Sequence, residues 1–78
     1  MTQGQRDLII HDPAVCHGQA VIKGTRIMAS IVLDALADGM SEDEILADYP
    51  TLTIDGIRAA AAYGAELARD EFPAVAAR

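Results

Sequence analysis

The sequence predicts a mainly α-helical protein, with a three-helix, homeodomain-like helix-turn-helix body that follows a short N-terminal β-hairpin arm. Two segments support this prediction. Residues 22–27, Ile-Lys-Gly-Thr-Arg-Ile, have the pattern of a strand that turns into a helix. Residues 39–53 contain the start and stop signals of two helices joined by a short link. This arrangement leaves little material for an enzyme active site.

Length and composition limit the possible organisation. A chain of 78 residues allows one domain. We divide it into a polar, flexible end (1–7), the hairpin arm (8–27), the helical body (28–70) and a tail (71–78). The chain is 51% hydrophobic, and a small domain can bury only part of that apolar surface. We therefore predict that some of this surface lies in a subunit interface, most simply that of a homodimer.

The net charge of −6 is unevenly distributed. Residues 1–27 carry three basic and two acidic side chains, whereas residues 28–78 carry three basic and ten acidic ones, for a net −7. An acidic surface weakens nonspecific attraction to nucleic acid and suits a basic protein partner. Specific DNA binding by a dimer with a local basic patch stays compatible with this distribution.

Two short strands are expected in the arm. Leu8-Ile9-Ile10 is the first candidate, and Gln19 to Ile22 alternates polar and apolar residues as a second strand would. His17-Gly18 is a candidate turn, and Lys23-Gly24-Thr25 ends the second strand. An isolated hairpin is marginal in water, so pairing with the hairpin of a second chain is a hypothesis for its stabilisation.

The first helix is expected to begin between Met28 and Ser30 and to end at Gly39, where a left-handed C-terminal cap is expected. Its apolar residues recur at the spacing of an amphipathic helix. They are Met28, Ile31, Val32, Ala35 and Leu36.

The second and third helices have explicit N-terminal signals. Ser41 and Glu44 form a capping box, and Pro50 ends the second helix. Thr53 is the expected N-cap of the third helix, which should run to about residue 70 before Pro73 stops it. Its predicted apolar face consists of Ile54, Ile57, Ala61, Gly64, Leu67 and Ala68.

The link between these two helices suggests DNA contacts. In helix-turn-helix units the second helix inserts its N-terminal residues into the major groove. Thr51, Thr53 and Arg58 occupy those positions here and suit phosphate and base contacts. Asp55 is unfavourable near phosphates, and the acidic charge makes an ordinary helical hairpin an equal alternative.

Other polar residues yield no catalytic, cofactor or metal site. His11, Asp12, Cys16 and His17 match no standard zinc spacing, and a nucleophilic Cys16 would need a general base. For Arg26, burial against carbonyls or an acid such as Asp12 is favoured over a phosphate contact because its neighbours are apolar.

The expected location is the cytoplasm. A single cysteine allows no internal disulfide. The first residues lack the pattern of a signal peptide, and no apolar run approaches the length of a membrane span.

Taken together, these segments closely resemble the bacterial family called domain of unknown function 433. The resemblance covers about residues 8–68. The combination of the Gly-Thr-Arg and Tyr-Pro segments at this distance is specific. The matching positions are Asp12-Pro13, Gly18, Ile22 to Ile27, Gly39-Met40-Ser41, Glu44-Ile45, Tyr49-Pro50, Leu52-Thr53 and Ile57.

This resemblance implies a helix-turn-helix fold with an N-terminal hairpin, often dimeric. It also implies likeness to antitoxins encoded beside PIN-like nuclease toxins; related antitoxins of the VapB class bind both the toxin and their own operator. Gly24, Thr25 and Arg26 match the signature turn, while Thr53 and Arg58 fall in the helix expected to face DNA. Gly56 departs from the acidic residue expected there, which leaves Thr53 without a capping-box partner.

We therefore expect a dimeric antitoxin-like protein, not an enzyme, that neutralises a PIN-like nuclease with an acidic surface and represses its own operon. The alternative is a stand-alone dimeric DNA-binding regulator. A third hypothesis, an enzyme that uses Cys16 and the two histidines, has the least support in the sequence.

Overall fold

The computed structural model describes residues 1–71, and this part of the chain is mostly helical with one two-stranded antiparallel sheet. The predicted tail, 71–78, with its Pro73 stop, lies outside the described residues except for the last residue of the final helix. The elements are α1 (Gln3–Asp7), β1 (Ile9–Ile10), a 3-10 turn (Cys16–Gly18), β2 (Val21–Ile22), α2 (Ala29–Ala37), α3 (Glu42–Asp48) and α4 (Ile54–Glu71).

Helix α1 replaces the flexible end that is predicted over residues 1–7, so this prediction is wrong. The Thr2 hydroxyl accepts a hydrogen bond from the Gln5 backbone at 3.1 Å, and the Gln5 side chain accepts one from the Thr2 backbone at 2.8 Å. This is a capping box, which satisfies two backbone donors at the start of a helix. Helix α1 also packs against α4, and this contact cannot be inferred from its polar sequence.

The two predicted strands pair as expected, with Ile9 opposite Ile22 and Ile10 opposite Val21. The chain then turns and returns along the other side of β2. The backbone N–H of Ile22 donates to the carbonyl of Ile27 at 3.0 Å, and Val21 forms a bridge with Met28. Strand β2 therefore has backbone partners on both sides, and its two residues are buried.

The predicted helix caps are confirmed. Gly39 has a φ of +85°, and the backbone N–H of Met40 donates to the Ala35 carbonyl at 3.1 Å, as in a Schellman motif. The side chains of Ser41 and Glu44 form the expected capping box of α3. At α4, the Thr53 hydroxyl accepts from the Gly56 backbone at 3.0 Å.

The core lies between β2 and the three longer helices. Its fully buried large side chains are those of Val32, Ile45 and Ile57. In α2, the predicted stripe is confirmed in outline, since Val32 and Ala35 are buried and the other three residues are half-buried.

The predicted face of α4 is partly wrong. Ile57 is buried and Ile54 and Gly64 are half-buried as the prediction requires, but Ala61, Leu67 and Ala68 are exposed. The buried face is built mainly from small residues, because these let α4 approach its neighbours closely. Its buried members are Gly56, Ile57, Ala59 and Ala60.

Among the residues that the structure describes, no helix is both long enough and apolar enough to cross a membrane.

Candidate functional site

The signature turn at Gly24, Thr25 and Arg26 has a structural basis. Gly24 has a φ of +81°, a left-handed conformation that costs other residues about 1 kcal/mol or more. The Thr25 hydroxyl donates to the Ile22 carbonyl at 2.7 Å and accepts from the Ile27 backbone at 3.0 Å. Gly24 and Thr25 therefore bring the chain back along β2 and set the start of α2.

Arg26 does not have the predicted buried role. Its side chain is exposed, and its guanidinium makes no hydrogen bond or ion pair within residues 1–71. Only its backbone carbonyl is engaged, as an acceptor for the Cys16 thiol at 3.5 Å. The apolar neighbours were misleading, because in a turn successive side chains need not share a face. With Lys23, also exposed, Arg26 gives this turn a basic surface.

The polar residues between the strands are held in a left-handed stretch. Cys16, His17 and Gly18 have φ values of 50°, 56° and 81°, and the His11 Nδ1 lies 3.1 Å from the Gly18 carbonyl. The His11 ring also lies 6.0 Å from that of Tyr63 on α4. Over the described residues, no three His, Cys, Asp or Glu side chains are placed to hold a metal ion together.

The three candidate DNA-binding residues lie near one another in sequence but have different surroundings. Thr51 is exposed in the link, whereas the Thr53 hydroxyl caps α4. The Arg58 Nε lies 3.3 Å from the Glu42 Oε2, so the guanidinium is held against the acidic start of α3. An exposed ion pair of this kind contributes about 1 kcal/mol or less, so a stronger ligand can displace it.

Five exposed carboxylates on α2, its C-terminal cap and α3 make no ion pair within residues 1–71. We call this set the acidic helix surface; it consists of Asp34, Asp38, Asp43, Glu44 and Asp48. Asp34 and Asp38 are one helical turn apart, as are Glu44 and Asp48, so each pair shares a face of its helix. A hydrogen bond from the Ser41 backbone lowers the pKa of Glu44 below its ordinary value of 4.5.

A groove of about 310 Å³, missed by the sequence analysis, lies where α1 and β1 meet the second half of α4. It is lined by Arg6, Ile9, His11, Tyr63, Glu66 and Leu67, among others. An Arg6 terminal nitrogen lies 3.4 Å from the Glu66 Oε1. The groove could not be predicted because nothing in the polar sequence of α1 indicates that it packs against α4.

The described residues form a mostly helical fold with a two-stranded antiparallel sheet and this signature turn. Its sequence matches the family described as Protein of unknown function (DUF433) over residues 9–64, and the chain belongs to this family. The family membership agrees with the resemblance carried by the signature segments.

A solved relative supports the same family. The crystal structure of a DUF433 member protein from Anabaena variabilis ATCC 29413 is similar to this chain, with 34% sequence identity and a TM-score of 0.68. The match covers 91% of this chain and 65% of the relative, so the chain spans less than two thirds of that protein's length. No curated protein matches this sequence.

Proposed function

We propose that this protein is an antitoxin-like binding protein, active in the cytoplasm as a homodimer, that neutralises a PIN-like nuclease toxin. The protein binds its partner and is not itself an enzyme. It also represses its own operon through the helix-turn-helix, since related VapB-class antitoxins bind both the toxin and their own operator. The family resemblance suggests the toxin class, and the acidic helix surface is the feature of this chain that supports a basic partner.

The charges of this surface are available for a partner. Its five carboxylates are exposed and make no ion pair within the described residues, although the Glu44 carboxylate also accepts a hydrogen bond from the Ser41 backbone at 2.8 Å. Nucleases need basic surfaces to attract nucleic acid. Complementary potentials speed association and exclude wrong partners, so a surface of this kind suits a nuclease and can compete with its nucleic-acid substrate.

Capture of a nuclease from the native host tests the proposal, with the tagged protein as bait and mass spectrometry as the readout. We expect stoichiometric recovery of a small PIN-like nuclease. The recovered nuclease should lose its activity on nucleic acid when the antitoxin-like protein is added in equimolar amount. Recovery of the bait alone, or of a nuclease that stays active, would contradict the proposal.

A pair of charge reversals tests the surface itself. Asp38→Lys lies at the C-terminal cap of α2, and Asp7→Lys lies at the last residue of α1. Both make the same charge change at a helix end, where a cation is favourable to the helix dipole. Asp38→Lys should weaken nuclease binding by roughly tenfold, whereas Asp7→Lys should leave it unchanged. Equal effects of the two variants would exclude the acidic helix surface as the contact.

The alternative function, a stand-alone dimeric DNA-binding regulator, has one supporting feature. Helices α3 and α4 are consecutive and joined by a five-residue link, with Thr51 and Thr53 exposed at the start of α4. The pairing of Arg58 with Glu42 does not favour it, since this candidate phosphate contact is already engaged by a carboxylate.

Binding of the protein alone to the DNA upstream of its own gene tests the regulator hypothesis. The regulator hypothesis requires salt-dependent binding by the protein alone, lost in Arg58→Ala and retained in Arg69→Ala, which removes an arginine from the far end of the same helix. If the protein alone does not bind this DNA at low salt, the regulator hypothesis is rejected and toxin binding is the remaining function.

A further inference from the structure

One side of α4 is buried in the first half of the helix and becomes exposed towards its C-terminal end. Gly56, Ala60, Tyr63 and Leu67 follow each other at intervals of three or four residues and so lie on one side of the helix. Gly56 and Ala60 are buried, Tyr63 is half-buried, and Leu67 is 49% exposed. Leu67 is the exposed large hydrophobic side chain of the described residues. Leu67 is therefore exposed although it lies on the same side of α4 as the buried Gly56 and Ala60.

The groove between α1, β1 and α4 lies directly beside the exposed Leu67 side chain. Leu67 is itself on the rim of the groove of about 310 Å³, whose other apolar walls are Ile9 on β1 and Tyr63 on α4. The same surface therefore presents an apolar side chain and an apolar depression. A two-fold symmetric interface requires this property, because each copy must supply both the inserted side chain and the hole that receives it.

The charges of the groove are also self-complementary. Its rim carries the cation of Arg6, 52% exposed, together with the carboxylates of Glu66 and Asp70. The Glu66 Oε2 is buried without a hydrogen-bond partner among residues 1–71, and the terminal ammonium lies 3.7 Å away. The two cations and two carboxylates of this rim balance, so two copies of the groove meet without net repulsion, whereas two copies of the acidic helix surface would repel each other.

We propose that this groove is the dimer interface, and that Leu67 of each protomer inserts between Ile9 and Tyr63 of the other. This inference rests on the dimeric state in the proposed function and names the surface that forms it. The two α4 helices run antiparallel across the two-fold axis, and Arg6 of one protomer approaches the acidic end of α4 in its partner. The hairpins are not paired between chains, and the acidic helix surface stays free for the nuclease.

Sedimentation equilibrium of the full chain tests the proposal, from about 1 μM to about 100 μM. Leu67→Glu places a charge in the proposed interface. Ala65→Glu places the same charge on the same helix, at an exposed position on the opposite side. We expect a dimer for the wild type and for Ala65→Glu, and a monomer for Leu67→Glu.

Two results would overturn the inference, and they differ in meaning. A wild-type protein that stays monomeric over the whole range removes the dimer and its interface together. A Leu67→Glu variant that dimerises like the wild type removes only this interface and points to another, such as the hairpins. If thermal unfolding shows that Leu67→Glu is unfolded, Leu67→Ala decides the question. The Leu67→Ala variant should raise the dimer dissociation constant by roughly tenfold. An unchanged dissociation constant would reject this interface.

Discussion

The helical body and the arm keep their shapes by different local interactions. In the body, each long helix is bounded by a cap, such as the Ser41 capping box of α3 or the Schellman motif at Gly39. In the arm, the chain is bent by left-handed residues at Gly24 and across Cys16–Gly18. Caps satisfy backbone groups with little strain, whereas two of the left-handed residues in the arm are not glycine and carry strain. Stability should therefore depend on packing in the body and on turn conformation in the arm.

The largest effect should come from the core of the body. Ile45 on α3 is fully buried, and Ile45→Ala should lower the free energy of unfolding by about 3 kcal/mol, because it removes apolar contacts and leaves a cavity. The half-buried neighbour Leu46 is the control, since Leu46→Ala should cost about half as much. Urea unfolding measures both. Equal losses would mean that Ile45 is not central to the core.

The contact between arm and body should be the next most sensitive point. A Cβ at Gly56 of α4 would lie 3.0 Å from the Ile22 Cγ2 of β2, a buried and stiff side chain. Gly56→Val should therefore destabilise the protein by about 2 kcal/mol through overpacking. Ala65→Val, at an exposed position of α4, measures the cost of valine in this helix alone, about 0.5 kcal/mol. Similar melting temperatures for both variants would contradict the close approach.

Within the arm, the Thr25 hydroxyl should matter most. Thr25→Val keeps the shape but removes the bonds to the Ile22 carbonyl and the Ile27 backbone, at a cost of about 1–2 kcal/mol. Thr51→Val removes a hydroxyl from an exposed residue of the link and should change stability by no more than about 0.5 kcal/mol. Chemical denaturation that ranks these two variants equally would show that the turn is not held by Thr25.

Backbone strain in the arm predicts that one substitution there raises the free energy of unfolding, by a smaller amount than the losses described above. His17 has φ and ψ of 56° and 32°, which glycine adopts readily. His17→Gly should therefore raise the free energy of unfolding by about 0.5 kcal/mol, relieved strain outweighing the greater freedom of the unfolded chain. Gln19→Gly, two residues later in an ordinary extended conformation, should lower it instead. A loss at both positions would show that the left-handed conformation costs little.

The smallest effect concerns the charge of one cap. Because the Ser41 backbone lowers the pKa of Glu44 below 4.5, the ionised carboxylate stabilises the fold above that pH. This contribution is lost as the pH falls through the lowered pKa. The stability difference between the wild type and Glu44→Gln should therefore shrink from pH 7 to acid. A difference that stays constant in urea titrations across this range would contradict the role of the carboxylate.

These regions also differ in how far their structure could be predicted. The Ser41, Thr53 and Gly39 caps were predicted correctly because each depends on side chains within a few residues. Helix α1 has the same kind of signal at Thr2 and Gln5, but its sequence lacks an apolar stripe, and its packing on α4 is a long-range contact. In α4, alanines occur on all sides of the helix, so the sequence lacks the contrast between apolar and polar sides that identifies a buried face.

The candidate site likewise combines features that depend on neighbouring residues, which are predictable, with features that depend on long-range packing, which are not. The role of Gly24 and Thr25 as a turn was predictable from glycine chemistry. The exposure of Arg26 was not, because the direction of its side chain depends on the return of the chain along β2. The groove at Leu67 required three elements to be placed together, and one of them was not predicted.

The thiol of Cys16 gives the arm a built-in chemical reporter. It is half-buried and donates to the Arg26 carbonyl, across the gap between the left-handed stretch and the signature turn. The chain has one cysteine, so a thiol reagent modifies a single position. Its reaction rate therefore reports how accessible this part of the arm is to solvent. Slow modification that accelerates when a partner binds would reveal that binding loosens the arm, and slower modification would reveal that binding clamps it.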